Sequence, residues 1–479
     1  MIGQQQLVLD WRTWLKGMSS SSEIDDGGFS PETEGVNLTA KPGAIYAPAA
    51  LVDSDTDTRL TGELVASCPD HNVSSISQRL LAADDDKYYL YNGTKISNVA
   101  YTGGTASTVT KFYSDMIQFA GRTYITCKER IKEWSGASTI ADLASFTNTT
   151  YPHPAIVFEN NAFYGDGNVL LKQTTAGGTP TAVLTLSSDQ IIIALGIDQG
   201  TGKLLISTIN NINFSFILPI IARLHWYNGS SGTTDKTVIV EDAITAFHSF
   251  SGETIIGYKD KIGRINGSGI EFLRQLKNVF LDSDYLPTKH NFVNIGNHMY
   301  VLDGVEILAY GEVIKGAGKI WYYCGKNKVN SNKIRALFPV GLGKLGLSMD
   351  TSKFYTLAVS AISGSVADTA PTTLDKWYFM TNNIDFPRPI YPKSLQLEFI
   401  NSFVYTSANF PIVYYDNSSP SGVSSVGSLR RRAGKTGVTV DDIIGFVSGQ
   451  KVTSVKFLFE NSTVQNGLKR IILFYDYAE

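Results

Sequence analysis

The fold is decided by a stretch in the middle of the chain, residues 244–258, which reads ITAFHSFSGETIIGY. Two short runs rich in β-branched and aromatic residues flank Ser251-Gly252, a dipeptide that is typical of tight turns. Runs of this composition, joined by such a turn, predict a β-hairpin. Because one hairpin cannot bury both of its faces, a stable fold built from it needs further copies that cover the exposed face.

The same unit recurs along the chain at intervals of roughly 40–50 residues. Its turns fall near residues 85, 121, 160, 200, 251, 296 and 342, and the last copy is the weakest. Radially arranged blades bury both faces of such a unit, whereas helical repeats of similar period need an apolar spacing that is absent here. The sequence therefore predicts an all-β chain with a β-propeller of about seven blades over residues 66–375, six or eight blades remaining open.

The two ends of the chain do not follow this period. Residues 1–65 are polar, rich in turn signals and predominantly acidic, which predicts an extended N-terminal arm without a core of its own. Residues 376–479 carry an excess of basic side chains and several alternating runs, such as Leu395–Ile400 and Val452–Phe459. These runs predict a C-terminal β-sandwich, with one helical turn expected around Asp441–Phe446.

The composition of the 479-residue chain excludes several classes of protein. Hydrophobic residues make up 43% and charged residues 18%, which argues against a disordered chain. The net charge of -3 argues against a nucleic-acid partner bound through bulk positive charge. The three cysteines are too few for a disulfide scaffold and are expected to be buried thiols, and most aromatic residues are expected between blades. We also expect no signal peptide and no membrane segment, and synthesis in the cytoplasm.

Motifs that carry catalysis or bind cofactors are not convincing in this chain. The six histidines lack metal-binding spacing, and Ala433–Gly437 resembles the end of a phosphate-binding loop whose earlier glycine is replaced by Leu429. Asp53, Asp55 and Asp57 alternate as in calcium loops, but Thr58 stands where the loop requires glycine. We therefore expect no enzymatic activity, no cofactor and no metal.

Two groups of residues are candidate interfaces with a partner. Trp11 and Trp14 lie in the arm, where no core is evident, and tryptophan is favoured as an anchor at protein interfaces. They either dock on a partner or pack on the chain's own propeller. The second group forms a basic loop that either contacts an acidic partner surface or is simply solvated, and it comprises Arg430, Arg431, Arg432 and Lys435.

The N-terminal part of the chain shows one family resemblance. It reads GGFSPE at residues 27–32, EGVNL at 34–38 and KPGAIY at 41–46, and then runs into the repeated hairpins. This layout resembles tailed-bacteriophage virion proteins of the tail accessory, stabilisation or tail-hub type. The resemblance implies a non-enzymatic structural subunit of a phage tail or head–tail junction. It also implies a ring of identical copies that contacts other virion structural proteins and binds no specific nucleic acid.

Two other functions stay open at the level of sequence. The first is a receptor- or glycan-binding propeller at a tail tip, which would use exposed aromatic residues in the blade loops. The second is a propeller hydrolase of the glycosidase class, which would need two carboxylates facing each other across a cleft.

Overall fold

The structure, a computed structural model, describes most of the propeller and part of each end of the chain. The described residues are 5–14, 52–53, 60–71, 78–92, 96–101, 114–136, 139–210, 221–258, 260–267, 269–276, 287–303, 306–313, 315–316, 318–326, 334–341, 343–349, 352–359, 377–381, 384–403, 412–416, 438–443, 452–461 and 468–478. The chain forms two compact units. The first comprises Leu51–Val305 and Asn332–Leu357, and the second Met1–Ala50, Glu306–Ser331 and Ala358–Glu479.

The N-terminal residues supply three short elements: strand β1 Gln5–Asp10, the one-turn helix α1 Trp11–Trp14 and strand β2 Val52–Asp53. Both strands join sheets formed by residues from much later in the chain. Strand β2 pairs with Lys353–Ala358, and β1 pairs with Leu468–Tyr477. The predicted domain boundaries after residues 65 and 375 stay predictions.

Five four-stranded sheets and one eight-stranded sheet, which consists of two four-stranded halves, give seven blades along the chain and confirm the predicted propeller of about seven blades. In chain order, the first three are β3 Leu64–Pro69, β4 Arg79–Ala83, β5 Tyr88–Tyr91 and β6 Ile96–Tyr101; β7 Asp115–Phe119, β8 Arg122–Thr126, β9 Arg130–Trp134 and β10 Thr139–Ser145; and β11 Ala155–Phe158, β12 Asn161–Asp166, β13 Val169–Gln173 and β14 Thr181–Thr185. The first two blades are joined at their outer strands, where β10 pairs in parallel with β6.

The remaining four blades have the same order of strands, and the last one takes its outer strand from β2. Their strands are β15 Gln190–Ile197, β16 Leu204–Asn210, β17 Ala222–Tyr227 and β18 Lys236–Val240; β19 Ile244–Phe250, β20 Glu253–Tyr258, β21 Lys261–Asn266 and β22 Gly269–Gln275; β23 Phe292–Ile295, β24 His298–Asp303, β25 Glu306–Glu312 and β26 Lys319–Lys326; and β27 Ile334–Pro339, β28 Lys344–Met349 and β29 Lys353–Ala358.

The first strands of the blades contact one another in a ring around the centre of the first unit. Contacts run from β3 to β7, β11, β15 and β19 in turn, and from β23 through β27 back to β3. Between β19 and β23, a single 3-10 turn over Lys289–Asn291 contacts β19, β27 and β3. This turn therefore lies at the centre of the ring.

The core of the first unit lies between neighbouring blades, as expected for a propeller. Tyr88 and Trp134 are buried between the first and second blades, and Tyr124 and Tyr164 between the second and third. Side chains of the last blade, including Phe338, pack in the same way against the first blade. Fully burying a large apolar side chain contributes about 1.5–3 kcal/mol, so these interfaces stabilise the ring far more than any single turn does.

The C-terminal residues form antiparallel strands that share one long member within a seven-stranded sheet. The two packed layers of the predicted β-sandwich stay a prediction. These strands are β30 Trp377–Met380, β31 Ile384–Phe403, β32 Ile412–Asp416, β33 Val438–Ile443, β34 Val452–Asn461 and β35 Leu468–Tyr477. The first part of β31 pairs with β34, and its later part lies between β33 and β35. Strand β1 pairs with β35, β35 pairs with β31, and β31 pairs with both β33 and β34. Strand β34 in turn pairs with β30 and β32.

One local prediction for this region was wrong. A helical turn was expected around Asp441–Phe446, but residues up to Ile443 belong to strand β33. Val438 and Val440 alternate with polar residues, and β33 lies opposite Leu395–Glu398 of β31. The β-branched alternation and the neighbouring strand outweigh the weak local preference of the two aspartates for a turn.

Candidate functional site

The N-terminal strand β1 is an edge strand of the C-terminal sheet. It forms six consecutive antiparallel pairs with β35, from Gln5 opposite Tyr475 to Asp10 opposite Arg470. Leu9 is buried at 7% exposure, whereas the next residue towards the N-terminus, Val8, is 38% exposed. The strand therefore has one face that is held by the sheet and one that is open.

The predicted aromatic anchors lie immediately after this strand, in α1. The helix begins there because the Asp10 carboxylate accepts a hydrogen bond of 2.9 Å from the backbone N–H of Arg12. Trp14 is only 2% exposed in the single chain, while the side chain of Trp11 lies outside the described residues. Arg430, Arg431, Arg432 and Lys435 also lie outside them. The interface role of all six residues stays a prediction.

A second group of functional interest lies at the centre of the propeller ring, around Asp115 at the start of β7. Its Oδ1 is 2.6 Å from Nζ of Lys289 and 3.5 Å from Nε2 of His290, both in the 3-10 turn. Its Oδ2 accepts a hydrogen bond of 3.1 Å from the backbone N–H of Ala155 on β11. One carboxylate thus connects the second blade, the third blade and the central turn.

The charge state of Asp115 follows from these contacts. Burial by itself works to raise its pKa, but the Lys289 charge and the neighbouring His290 outweigh it and lower the pKa to about 2. Burial lowers the pKa of His290 below its ordinary value. At neutral pH the group therefore contains an ionised Asp115, a charged Lys289 and an uncharged imidazole.

A second buried cation, Arg79 on β4, lies in the same region. Its Nε and Nη2 donate hydrogen bonds of 3.1 and 2.9 Å to Oγ of Ser67 on β3. No described carboxylate forms an ion pair with it, and burial lowers the pKa of its guanidinium to about 10. Burial likewise raises the pKa of the neighbouring Cys68 thiol to about 12, so this cysteine is the buried, unreactive thiol that its sequence context predicts.

A cavity of about 350 Å³ opens beside these groups, within the first unit. Its polar walls come from Ser67, Arg79, Lys289, His290 and His248, and among the described side chains that line it none is a carboxylate. A smaller cavity of about 50 Å³ adjoins it and is lined by Asp115 and His153. We refer to Ser67, Arg79, Asp115, Lys289 and His290 together as the axial cluster.

The surroundings of the axial cluster are rigid. Oγ1 of Thr126 accepts a hydrogen bond of 2.7 Å from the backbone N–H of Asp115 and donates one of 2.7 Å to the carbonyl of His153. The His153 ring stacks on Phe146 with 3.6 Å between ring centroids. On the other side of the larger cavity, His248 is 2.7 Å from Oδ1 of Asn294, which connects β19 with β23.

Sequence reasoning did not find the axial cluster. Its members come from four separate parts of the chain. No sequence motif around Arg79 or Lys289 indicates that the residue is buried. The one available signal was the pair Lys289-His290 directly before a predicted strand. In the part of the chain that the structure describes, no three metal-ligating side chains lie close together, and no helix is long and apolar enough to cross a membrane.

Comparisons with known proteins leave the chain without an assigned family. No family model matches it, and no curated protein matches its sequence. Among solved structures, YCF48 bound to D1 peptide matches with a TM-score of 0.45 and 8% identity, over 67% of this chain and 98% of that one. YCF48 from Cyanidioschyzon merolae matches with a TM-score of 0.40 and 9% identity, over 64% of this chain and 99% of that one.

Proposed function

We propose that the chain is a non-enzymatic structural subunit of a bacteriophage tail or head–tail junction, which assembles into a ring of identical copies in the virion. The observation that carries the proposal is the pairing of β1 with β35. An N-terminal strand completes the edge of a sheet whose other strands lie more than 360 residues later in the chain. Such a strand is a connection that an assembly can exchange between copies.

The length of the chain between β1 and the propeller supports this proposal. Residues 15–51 separate α1 from β2. An extended chain of this length spans up to about 120 Å, which exceeds the diameter of a single domain. The β1 strand of one copy can therefore pair with β35 of its neighbour through the same six residue pairs, and a series of such exchanges closes a ring.

The propeller supports the proposal as a stiff body for such an assembly. Its blades are bound to one another by buried side chains from the first blade to the fifth and between the last blade and the first, and the axial cluster ties several blades to the central turn. A rigid propeller keeps its shape when neighbouring copies in the ring bind to its N- and C-terminal segments. Other virion structural proteins are the partners that this function requires.

A matched pair of variants in β1 tests the proposal. Leu9→Asp places a charge on the face that the sheet buries, whereas Val8→Asp places the same charge on the exposed face. We expect wild-type protein and Val8→Asp to form rings in light scattering and negative-stain images and to be incorporated into phage particles. Leu9→Asp should stay folded in its propeller but fail in both assays.

Two outcomes would contradict this function. A wild-type chain that stays monomeric at every concentration and is missing from particles would exclude a ring subunit. Equal incorporation of Leu9→Asp and Val8→Asp would show that the pairing of β1 plays no part in assembly.

A further inference from the structure

The larger cavity at the centre of the propeller is lined by a buried charge, that of Arg79, which no carboxylate of the described residues pairs with. Arg79 is 6% exposed, and the one described partner of its guanidinium is the uncharged hydroxyl of Ser67. A buried charge without a counter-charge is costly, so proteins ordinarily pair such a group or expose it. Arg79 instead lines an open cavity.

The other groups of the axial cluster do not supply the missing counter-charge. Asp115 is engaged by Lys289 at 2.6 Å, and the two charges cancel. His290 adds no charge, and its buried Nε2 lies 3.5 Å from Oδ1 of Asp115. Among the described groups of the axial cluster, two cations and one carboxylate leave a single positive charge beside the cavity, which a monoanion neutralises.

The walls of the cavity define the rest of the ligand. Leu195, Phe247 and Leu337 line it together with the polar groups. Its volume of about 350 Å³ is much larger than a halide ion needs, and a bare ion would leave these apolar side chains facing water. A guanidinium group presents N–H donors in a plane that matches the two oxygens of a carboxylate.

We propose that this cavity binds a small organic monocarboxylate, with the carboxylate on Arg79 and the apolar tail against Leu195, Phe247 and Leu337. The binding requires no chemical step. A molecule with its apolar part inside the ring buries hydrocarbon from water while it removes the uncompensated charge.

Calorimetric titration of the full-length chain with sodium butyrate, sodium acetate and butyramide tests the proposal. We expect butyrate to bind roughly fifteenfold tighter than acetate, because it has two more methylenes and each buried methylene contributes about a fourfold gain in affinity. Butyramide, which has the same shape without the charge, should bind at least tenfold more weakly than butyrate. Equal affinities of butyrate and butyramide would overturn the proposal.

A pair of arginine variants locates the binding site. Arg79→Met keeps most of the side-chain volume and removes the charge, so we expect butyrate affinity to fall at least tenfold. Arg122→Met is the control, because Arg122 pairs with Glu133 on the second blade and does not line the cavity. Unchanged affinity in Arg79→Met, or an equal loss in both variants, would contradict the assignment.

Thermal unfolding of the wild-type chain provides a second measurement that does not depend on whether Arg79→Met folds. A ligand that binds the native state alone raises the melting temperature. At equal ionic strength, butyrate should raise it above the value in sodium chloride, and butyramide should not. Equal melting temperatures in butyrate and chloride would exclude the site.

Discussion

At the scale of single residues, Asp115 shows how one buried carboxylate can hold several parts of a fold together. Its two carboxylate oxygens are taken up by Lys289, His290 and the backbone of Ala155. Ala155 belongs to the third blade and the other two partners to the central turn, so the carboxylate stabilises the ring by holding this turn in place. We expect removal of the Asp115 carboxylate to reduce the free energy of unfolding.

The stability of the chain should depend on pH through this residue. The pKa of Asp115 is about 2 in the folded chain and 3.8 in its ordinary environment. A depressed pKa stabilises the fold above about pH 4, and this contribution, on the order of 2 kcal/mol, is lost as the pH falls towards 2. Denaturant unfolding from pH 6 to pH 2.5 should therefore show Asp115→Asn approaching the wild type in acid. A stability difference that stays constant over this range would contradict the assignment.

The packing around Gly196 on β15 leaves no room for a side chain. A Cβ atom added there would lie 2.5 Å from Cβ of Phe247 on β19 and overlap its ring. Phe247 is buried between two blades and cannot move freely. We expect Gly196→Ala to reduce the free energy of unfolding by about 1–3 kcal/mol, as overpacking does.

Urea unfolding of Gly196→Ala and of Gly232→Ala measures this effect. A Cβ at Gly232 meets no atom within 4 Å, and the backbone there is not left-handed, so that variant should change stability by no more than about 0.5 kcal/mol. Similar stability of the two variants would mean that the blade interface at Phe247 is looser than the structure shows.

At the scale of elements, the repeated hairpins were predictable because each is a local structure. Ser251 and Gly252 have φ values of 50° and 77°, and Glu159 and Asn160 have 46° and 58°, as the tight hairpin turns between their strands require. Turn chemistry and strand composition act over a few residues, so a single sequence suffices to recognise them. All seven predicted turns lie between paired strands of the structure.

Other elements could not be predicted, for reasons that are equally physical. The outer strands, such as Lys236–Val240, are largely exposed and lack the apolar runs that mark the inner strands. The partners of β1 and β2 lie more than 300 residues away, and nothing in a short strand specifies so distant a partner. The axial cluster has the same difficulty, because Arg79 and Asp115 meet Lys289 only when the ring has closed.

At the scale of the whole propeller, the ring closes where the last blade meets the first, and strands from both ends of the propeller segment form that last blade. Blades one to six are each complete within one stretch of sequence, but the last blade takes its outer strand, β2, from the segment that precedes the first blade. This arrangement holds the two ends of the propeller together through backbone hydrogen bonds, in addition to the side chains that pack between the last blade and the first.

The closure of the ring can be weakened without changing its core. Val52 lies opposite Thr356 and Asp53 opposite Tyr355, and in an antiparallel pair one of two successive positions exchanges both of its hydrogen bonds. Val52→Pro combined with Asp53→Pro removes the N–H group at both positions and so breaks the ladder whichever residue donates. The two prolines remove one hydrogen bond and restrict the backbone. We therefore expect the free energy of unfolding to fall by about 1–2 kcal/mol.

Hydrogen exchange distinguishes local opening of this junction from general damage. In the double proline variant, whichever of the Tyr355 and Thr356 amides faces β2 should exchange faster, while the amides of β19 and β20, which lie in another blade, should keep their protection. Val52→Ala with Asp53→Asn is the control, since it changes the same two side chains and leaves both N–H groups in place. If exchange at Tyr355 and Thr356 were the same in both variants, β2 would not hold the ring closed, and the packing between the last blade and the first would have to do so alone.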